Sequence, residues 1–303
     1  MEQELNLEKE VRVRKFVGKI LVGSLFALIL VAAVAPVQAQ LPASPRRFVD
    51  FLDVRCYQIT NQPALNLGLR LDHLNPVLTG MGLPFEQVTL GSPQQLCVPV
   101  QKEANVPPSD TLPFIRFVDW KCYGISGAPI NVPLTLTQLN PVMSGLFGPT
   151  VSVTLREPQL LCLPVVKNNV NPPANVLQLV QELDVKCYRA ENTSTVTHTI
   201  KLTHLNPVLA GIAPEISTVG GPQQLCVPVK KNQRTPPSTI LPFVQFADVL
   251  CYRASGAPLG QNLSLRHINP LLTTLPVENV FIGGALNLCV PVAKNGVFPP
   301  GAP

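Results

Sequence analysis

Apolar and polar residues alternate along this chain with a period of two. Leu65, Leu67, Leu69 and Leu71 alternate with Asn66, Gly68 and Arg70, and Val132, Leu134 and Leu136 repeat the pattern, as do Val196, Ile200 and Leu202. A β-strand with one buried face has this signature. Leu96, Val98 and Val100 mark a later strand of the same kind, as do Leu161, Leu163 and Val165. An earlier strand puts Val54 and Cys56 on one face and Asp53, Arg55 and Tyr57 on the other. A fourth strand, carrying Val88 and Leu90 or Val151, Val153 and Leu155, is expected to meet the closing one at a turn such as Gly91-Ser92-Pro93 or Gly220-Gly221-Pro222. Between the second and third strands stands Asn-Pro, at 75–76, 140–141, 206–207 and 269–270. Asn as N-cap and Pro at the first helical position predict a helical turn, ended by Gly80, Gly145 or Gly211.

These segments recur about every 65 residues, so the chain reads as four copies of one unit. Each copy ends in a stiff Pro-Pro pair, at 107–108, 172–173, 236–237 and 299–300. The expected organisation is a signal peptide over 1–39 and repeat modules over 45–108, 113–173, 178–237 and 242–300. The fold class is all-β, four tandem small antiparallel β modules. Each module has two cysteines, one in Cys-Tyr and one in Leu-Cys-x-Pro-Val, and the chain has no others. A module of about 65 residues buries little core and needs a staple. The predicted disulfides are Cys56–Cys97, Cys122–Cys162, Cys187–Cys226 and Cys251–Cys289. Each closes a loop of about 40 residues and contributes about 4 kcal/mol in the chain-entropy model. The rival is a bridge between modules, such as Cys97–Cys122, which the Pro-rich linker disfavours.

The first residues carry an address. Arg12, Arg14, Lys15 and Lys19 precede an apolar run from Ile20 to Ala35, and Val37-Gln38-Ala39 offers a cleavage site. The run is shorter than the ~20 residues that cross a bilayer, so a removed leader is expected and no membrane span thereafter; the long n-region with Glu2, Glu4, Glu8 and Glu10 leaves a retained anchor as the alternative. Residues 40–303 keep a net charge of +4 with dispersed lysines and arginines, which excludes a nucleic-acid partner. Export and an even cysteine set point to a secreted or periplasmic protein.

The ordered frame of Cys56-Tyr57, an alternating Leu strand, Leu96-Cys97-Val98-Pro99-Val100 and Lys102, with its three later counterparts, resembles a domain family of unknown function in secreted bacterial proteins. The resemblance covers nearly all of the exported chain and implies secretion and tandem β structure, with no known activity. This chain departs from the family at His-Leu-Asn-Pro, where Asp-Gln-Phe is expected.

Candidate chemistry is sparse. His73, His204 and His267 hold one repeated position, which Gln138 takes in the second module. One imidazole per module cannot supply the three or four ligands of a zinc site. Gln and His share a side-chain donor and acceptor, so a hydrogen bond at the edge of the core is the expected role. The repeated polar-aromatic set comprises Tyr57, Tyr123, Tyr188 and Tyr252, then Asp53, Asp119, Asp184 and Asp248, and finally Lys102, Lys167, Lys231 and Lys294. If the cysteine strands are antiparallel neighbours, each Asp meets its Lys. The expectation is a surface ion pair or an outward binding patch shown four times. Arg55, Lys121 and Lys186 would join it, and Leu250 breaks the pattern. No nucleophile, phosphate-loop, metal or dinucleotide motif occurs, so no enzyme, metal or cofactor is expected. The functional expectation is an exported, non-enzymatic tandem-repeat protein with a binding or structural envelope role, toward an unknown extracellular or envelope ligand, with self-association possible. The alternative is a secreted inhibitor or accessory domain of a hydrolase.

Overall fold

The computed structural model describes residues 40–59 and 62–303, so the leader expected over 1–39 lies outside the described residues. The first module contributes α1 (Pro45–Val49), β1 (Val54–Ile59), β2 (Gly68–His73), α2 (Pro76–Gly80), β3 (Glu86–Thr89) and β4 (Pro93–Lys102). The second contributes α3 (Leu112–Ile115), β5 (Trp120–Gly124), β6 (Val132–Gln138), α4 (Pro141–Phe147) and β7 (Thr150–Lys167). The third has α5 (Ala174–Val180), β8 (Val185–Glu191), β9 (His198–His204) and β10 (Glu215–Lys231). The fourth has α6 (Leu241–Val244), β11 (Val249–Ser255), β12 (Gln261–His267) and β13 (Glu278–Lys294). The fold is all-β and antiparallel, and every module carries its own disulfide, as the sequence predicts.

The modules are not independent. Within each, the cysteine strands pair: β1 with β4, β5 with β7, β8 with β10 and β11 with β13. Between modules, β4 pairs with β5, β7 with β8 and β10 with β11, and β13 returns to β1. Eight strands thus form a closed antiparallel barrel with no free edge in the ring, which removes the template that an open sheet offers to other chains.

The second strand of each module leaves this ring. It reaches the end of the closing strand two modules away: β2 pairs with β10, β6 with β13, β9 with β4 and β12 with β7. The Pro of Leu-Cys-x-Pro-Val explains where this happens. On β4, one edge passes from β5 (Cys97↔Trp120) to β9 (Val100↔His204), and Pro99 sits between. Pro164, Pro228 and Pro291 occupy the same gap on β7, β10 and β13. A residue without an N–H is tolerated where an edge changes partners. The crossing is locked one residue after the repeated lysine. Glu103, Asn168, Asn232 and Asn295 adopt positive φ, and their side chains accept the backbone N–H of Lys201, Ser264, Arg70 and Thr135. Asn suits that left-handed backbone better than Glu.

Cysteine side chains face the barrel interior, where all eight join one apolar cluster. The helices α1, α3, α5 and α6 close over this layer with Phe48, Val49, Phe114, Ile115, Leu179 and Val244. Phe48 and Phe243 meet edge-on with centroids 6.2 Å apart. The outer face of the same strands is buried too, beneath the crossing arms, so β1 reads almost wholly buried instead of one face in and one face out.

Several local expectations change. Asn75, Asn140, Asn206 and Asn269 all cap the N–H two residues on, but only α2 and α4 complete a helix. The helix α4 stops at Gly148, with φ 86°, and not at Gly145. A turn separates the third and closing strands only in the first module; elsewhere one strand runs through with register shifts around Pro158 and Pro222. Val196 precedes β9 and is exposed, so it does not continue that strand's apolar face. The four short helices before the cysteine strands were not foreseen, because each carries too few residues to show a 3.6 period.

Because both neighbours of every module lie in other modules, a single module is expected not to fold. Residues 45–108 with Cys56–Cys97 intact should give a coil-like far-UV circular dichroism spectrum and no cooperative transition in guanidinium. A cooperative transition would show that barrel closure is dispensable.

Candidate functional site

The repeated polar residues converge, but inside the protein. Each Asp, just before its cysteine strand, meets the Lys at the end of the partner strand, in the pairs Asp53–Lys102, Asp119–Lys167, Asp184–Lys231 and Asp248–Lys294. The antiparallel pairing predicted from spacing is therefore present. The surface placement is not: none of the eight is more than 5% exposed. The reason is the capping Asn of an adjacent module, which covers each carboxylate. Asn140 donates to Asp53 at 3.1 Å, Asn206 to Asp119 at 2.6 Å, Asn269 to Asp184 at 2.9 Å and Asn75 to Asp248 at 2.5 Å. Burial pushes all four carboxyls up despite the lysines, Asp119 and Asp248 to about 6, and pulls all four lysines down.

The tyrosines are buried as well, at no more than 1% exposure. They point outward from the barrel and are covered by the arm from two modules away. Tyr57 Oη lies 3.2 Å from His204 Nε2, Tyr123 Oη 2.8 Å from His267 Nε2, and Tyr188 Oη 3.1 Å from His73 Nε2. Gln138 Nε2 donates to Tyr252 Oη at the fourth position. The hydrogen-bonding role expected of the His/Gln position is what the geometry shows, and its partner is the repeated tyrosine.

A charge pair completes three of these contacts. Arg55 Nε donates to Glu215 at 2.8 Å and stacks 5.6 Å from the Tyr57 ring centroid. Lys186 pairs with Glu86 and lies 4.4 Å from the Tyr188 ring, and Lys121 pairs with Glu278 and lies 5.0 Å from the Tyr123 ring. Tyr188 also donates to Glu86 at 2.8 Å, so a neutral His73 with its proton on Nε2 completes a chain from imidazole to phenol to carboxylate. The twelve residues expected as an outward binding patch are therefore internal struts, with no surface to offer a ligand.

The fourth contact differs in kind. Leu250 stands where the others have a cation. Register places Val151 where they have Glu: Leu136↔Val151 matches Leu71↔Glu86, Leu202↔Glu215 and Leu265↔Glu278. Both members of the ion pair are replaced together by apolar residues in one cluster. Phe147 lies tilted against Tyr252 with centroids 4.8 Å apart and meets His198 edge-on at 4.8 Å. An open groove of about 710 Å³ lies here, between β6–β7 and the 192–194 segment. Phe147 lines it with the buried Tyr252 behind, and Thr135, Ser152, Thr154, Asn192, Ser194 and Asn295 also line it. No protein-family model, curated protein or solved structure matches this chain. The groove was missed in the sequence, although Leu250 gave half of the signal. Aligning the repeats at Glu86, Val151, Glu215 and Glu278 would have supplied the other half.

Two outcomes follow for the struts. Asp53→Ala leaves Lys102 buried without its counter-ion and should cost about 3–5 kcal/mol, whereas Asp53→Asn with Lys102→Met should regain most of that loss. Guanidinium unfolding measures both. The imidazoles give a pH signature. Burial, with nearby cations, holds His73 and His267 down at about 3 and His204 at about 4. The unfolded chain takes up those protons near its ordinary ~6.5, so stability from these groups is full above that pH and declines as pH falls toward 3. Asp119 and Asp248 act oppositely, since their carboxyls protonate in the folded state from about 6 downward. His73→Gln, the residue the second module already uses, isolates one imidazole. It should flatten the stability–pH slope in this window by up to one proton, about 1.4 kcal/mol per pH unit, in unfolding curves taken across pH.

Proposed function

We propose that this chain is an exported, non-enzymatic binding protein whose repeats build one rigid barrel and whose ligand site is the groove at Phe147. The paired loss of cation and carboxylate at Leu250 and Val151 carries this reading. Three crossing contacts are closed by charge networks, and the fourth is relaxed around a cavity of about 710 Å³. Relief from an internal constraint at one repeat only is what a ligand site on a symmetric scaffold requires. The leader and the four disulfides favour an oxidising compartment, extracellular or periplasmic.

The groove's chemistry favours a neutral, hydroxyl-rich ligand with an apolar face, of which a sugar ring is the commonest kind. Hydroxyls and amides line the walls, and an aromatic ring lies on the floor. Aromatic rings give apolar area at low entropic cost, and the surrounding amides and hydroxyls orient a polar ligand. Glu191, the carboxylate at the rim, is paired with Arg156. The four-fold set of Tyr, Asp and Lys supplies rigidity on this reading, and multivalent display has no part in it.

The test is titration of the mature protein with neutral oligosaccharides and their sulfated counterparts, followed by calorimetry and amide chemical shifts. Neutral oligosaccharide should shift amides of Thr135, Ser152 and Asn192, and Phe147→Ala should weaken binding at least about tenfold, the scale of a lost stacking contact. Phe85→Ala, on an exposed ring elsewhere, should leave affinity unchanged. No shift with any neutral oligosaccharide, or equal affinity in Phe147→Ala, would remove the groove as the site.

A further inference from the structure

The four disulfides are not separate staples. Along the barrel interior each bonded pair touches the next: Cys97 Sγ lies 3.9 Å from Cys122 Sγ, Cys162 Sγ 3.7 Å from Cys187 Sγ, Cys226 Sγ 3.7 Å from Cys251 Sγ, and Cys289 Sγ 3.7 Å from Cys56 Sγ. Bonds and contacts alternate around a closed ring of eight sulfurs. Strand register produces it. Cys122 faces Gln95 and Cys97 faces Trp120, so the two cysteines sit diagonally on neighbouring strands with both side chains inward. The same offset recurs at Gln224↔Cys251 with Cys226↔Val249, and at Leu160↔Cys187 with Cys162↔Val185. All eight residues are at most 3% exposed and lie in one apolar cluster.

We propose that these sulfurs form a single thiol–disulfide exchange ring, in which one free thiol moves from module to module. Exchange needs a thiolate beside a disulfide sulfur, and the contacts lie close to the ~3–3.5 Å separation of reacting atoms in a near-attack arrangement. All eight cysteines are bonded, so a small external thiol starts the walk: its thiolate attacks Cys56 Sγ, forms a mixed disulfide there and releases the Cys97 thiolate. The step is redox-neutral. A Cys97 thiolate attacks Cys122 Sγ, the Cys97–Cys122 bond forms, the Cys122–Cys162 bond breaks, and the electron pair leaves on Cys162. Cys162 then faces Cys187, and the step repeats. At the end of the walk the Cys289 thiolate attacks Cys56 Sγ, 3.7 Å away, and expels the external thiol, so no oxidant or reductant is consumed. Each new bridge joins strands already hydrogen-bonded to one another. The ring therefore has two complete bonding patterns, one within modules and one between them. The second would fasten the barrel covalently from one module to the next. Burial disfavours the thiolate, so migration is slow and speeds up in mildly alkaline solution.

The test uses the full mature chain with Cys56→Ser, which leaves Cys97 without its partner. After incubation at mildly alkaline pH, acid quench, denaturation, alkylation and non-reducing peptide mapping, the free thiol should be found on Cys97, Cys162, Cys226 and Cys289. The accompanying bridges should be Cys97–Cys122, Cys162–Cys187 and Cys226–Cys251. Cys97→Ser starts the walk in the other direction and should label the complementary set, Cys56, Cys251, Cys187 and Cys122. A thiol confined to Cys97 in the first variant, or one scattered over both sets in each, would overturn the proposal. Should the variants not fold, the wild-type protein held in dilute thiol buffer gives the same decision. Only the four native and the four neighbour bridges should appear, and either native bridges alone or bridges across the ring would refute it.

Discussion

Closure of the hydrogen-bonded ring is the constraint on which the rest of this structure depends. A two-stranded ribbon of about 60 residues has an unpaired edge on each side and too small a core to stand alone. Four such ribbons, each lending an edge to the next, satisfy every edge once β13 pairs with β1. Everything repeated four times can be read as a part of that closure. The cysteines fill the interior, the prolines mark where an edge changes partners, and the arms cover the outer face.

Closure also explains why so many polar groups are buried. Covering the outer face places Asp, Lys, Tyr and His out of water, and each must then be paired. Asp and Lys pair within a module, and the contacts across modules join Asp to the Asn of an adjacent module and Tyr to the His or Gln two modules away. A buried charge pair is weak as a net source of stability, but a mispaired one is heavily penalised. The network thus penalises any docking that leaves one of these groups unpaired, and the Gln138–Tyr252 contact sets one arm apart from the other three. At the one contact where this network gives way to Leu250 and Val151, both halves change together and a groove opens beside them.

Much of this was legible in the chain and some was not. Strand periodicity, the module frame and the disulfide pairs follow from the repeat, because two cysteines recur in every module, and the Asp–Lys juxtaposition follows once the two cysteine strands run antiparallel. The groove was not legible, since its walls come from the second, third and fourth modules and its cause is a residue pair far apart in the chain. The outward reading of Tyr57 and its counterparts failed for a physical reason. Strand parity distinguishes two faces but is silent on whether the second is wet.

The β-strands, the four-fold frame and the pairing of cysteines within modules were written in the chain, because they rest on local periodicity and on a motif repeated four times. It took the folded chain to show that four modules make one barrel, that their shared polar residues are buried in it, and that the disulfides stand in contact as a single ring. Those outcomes depend on edges pairing between modules. One repeat carries no record of the neighbour that will complete its hydrogen bonds.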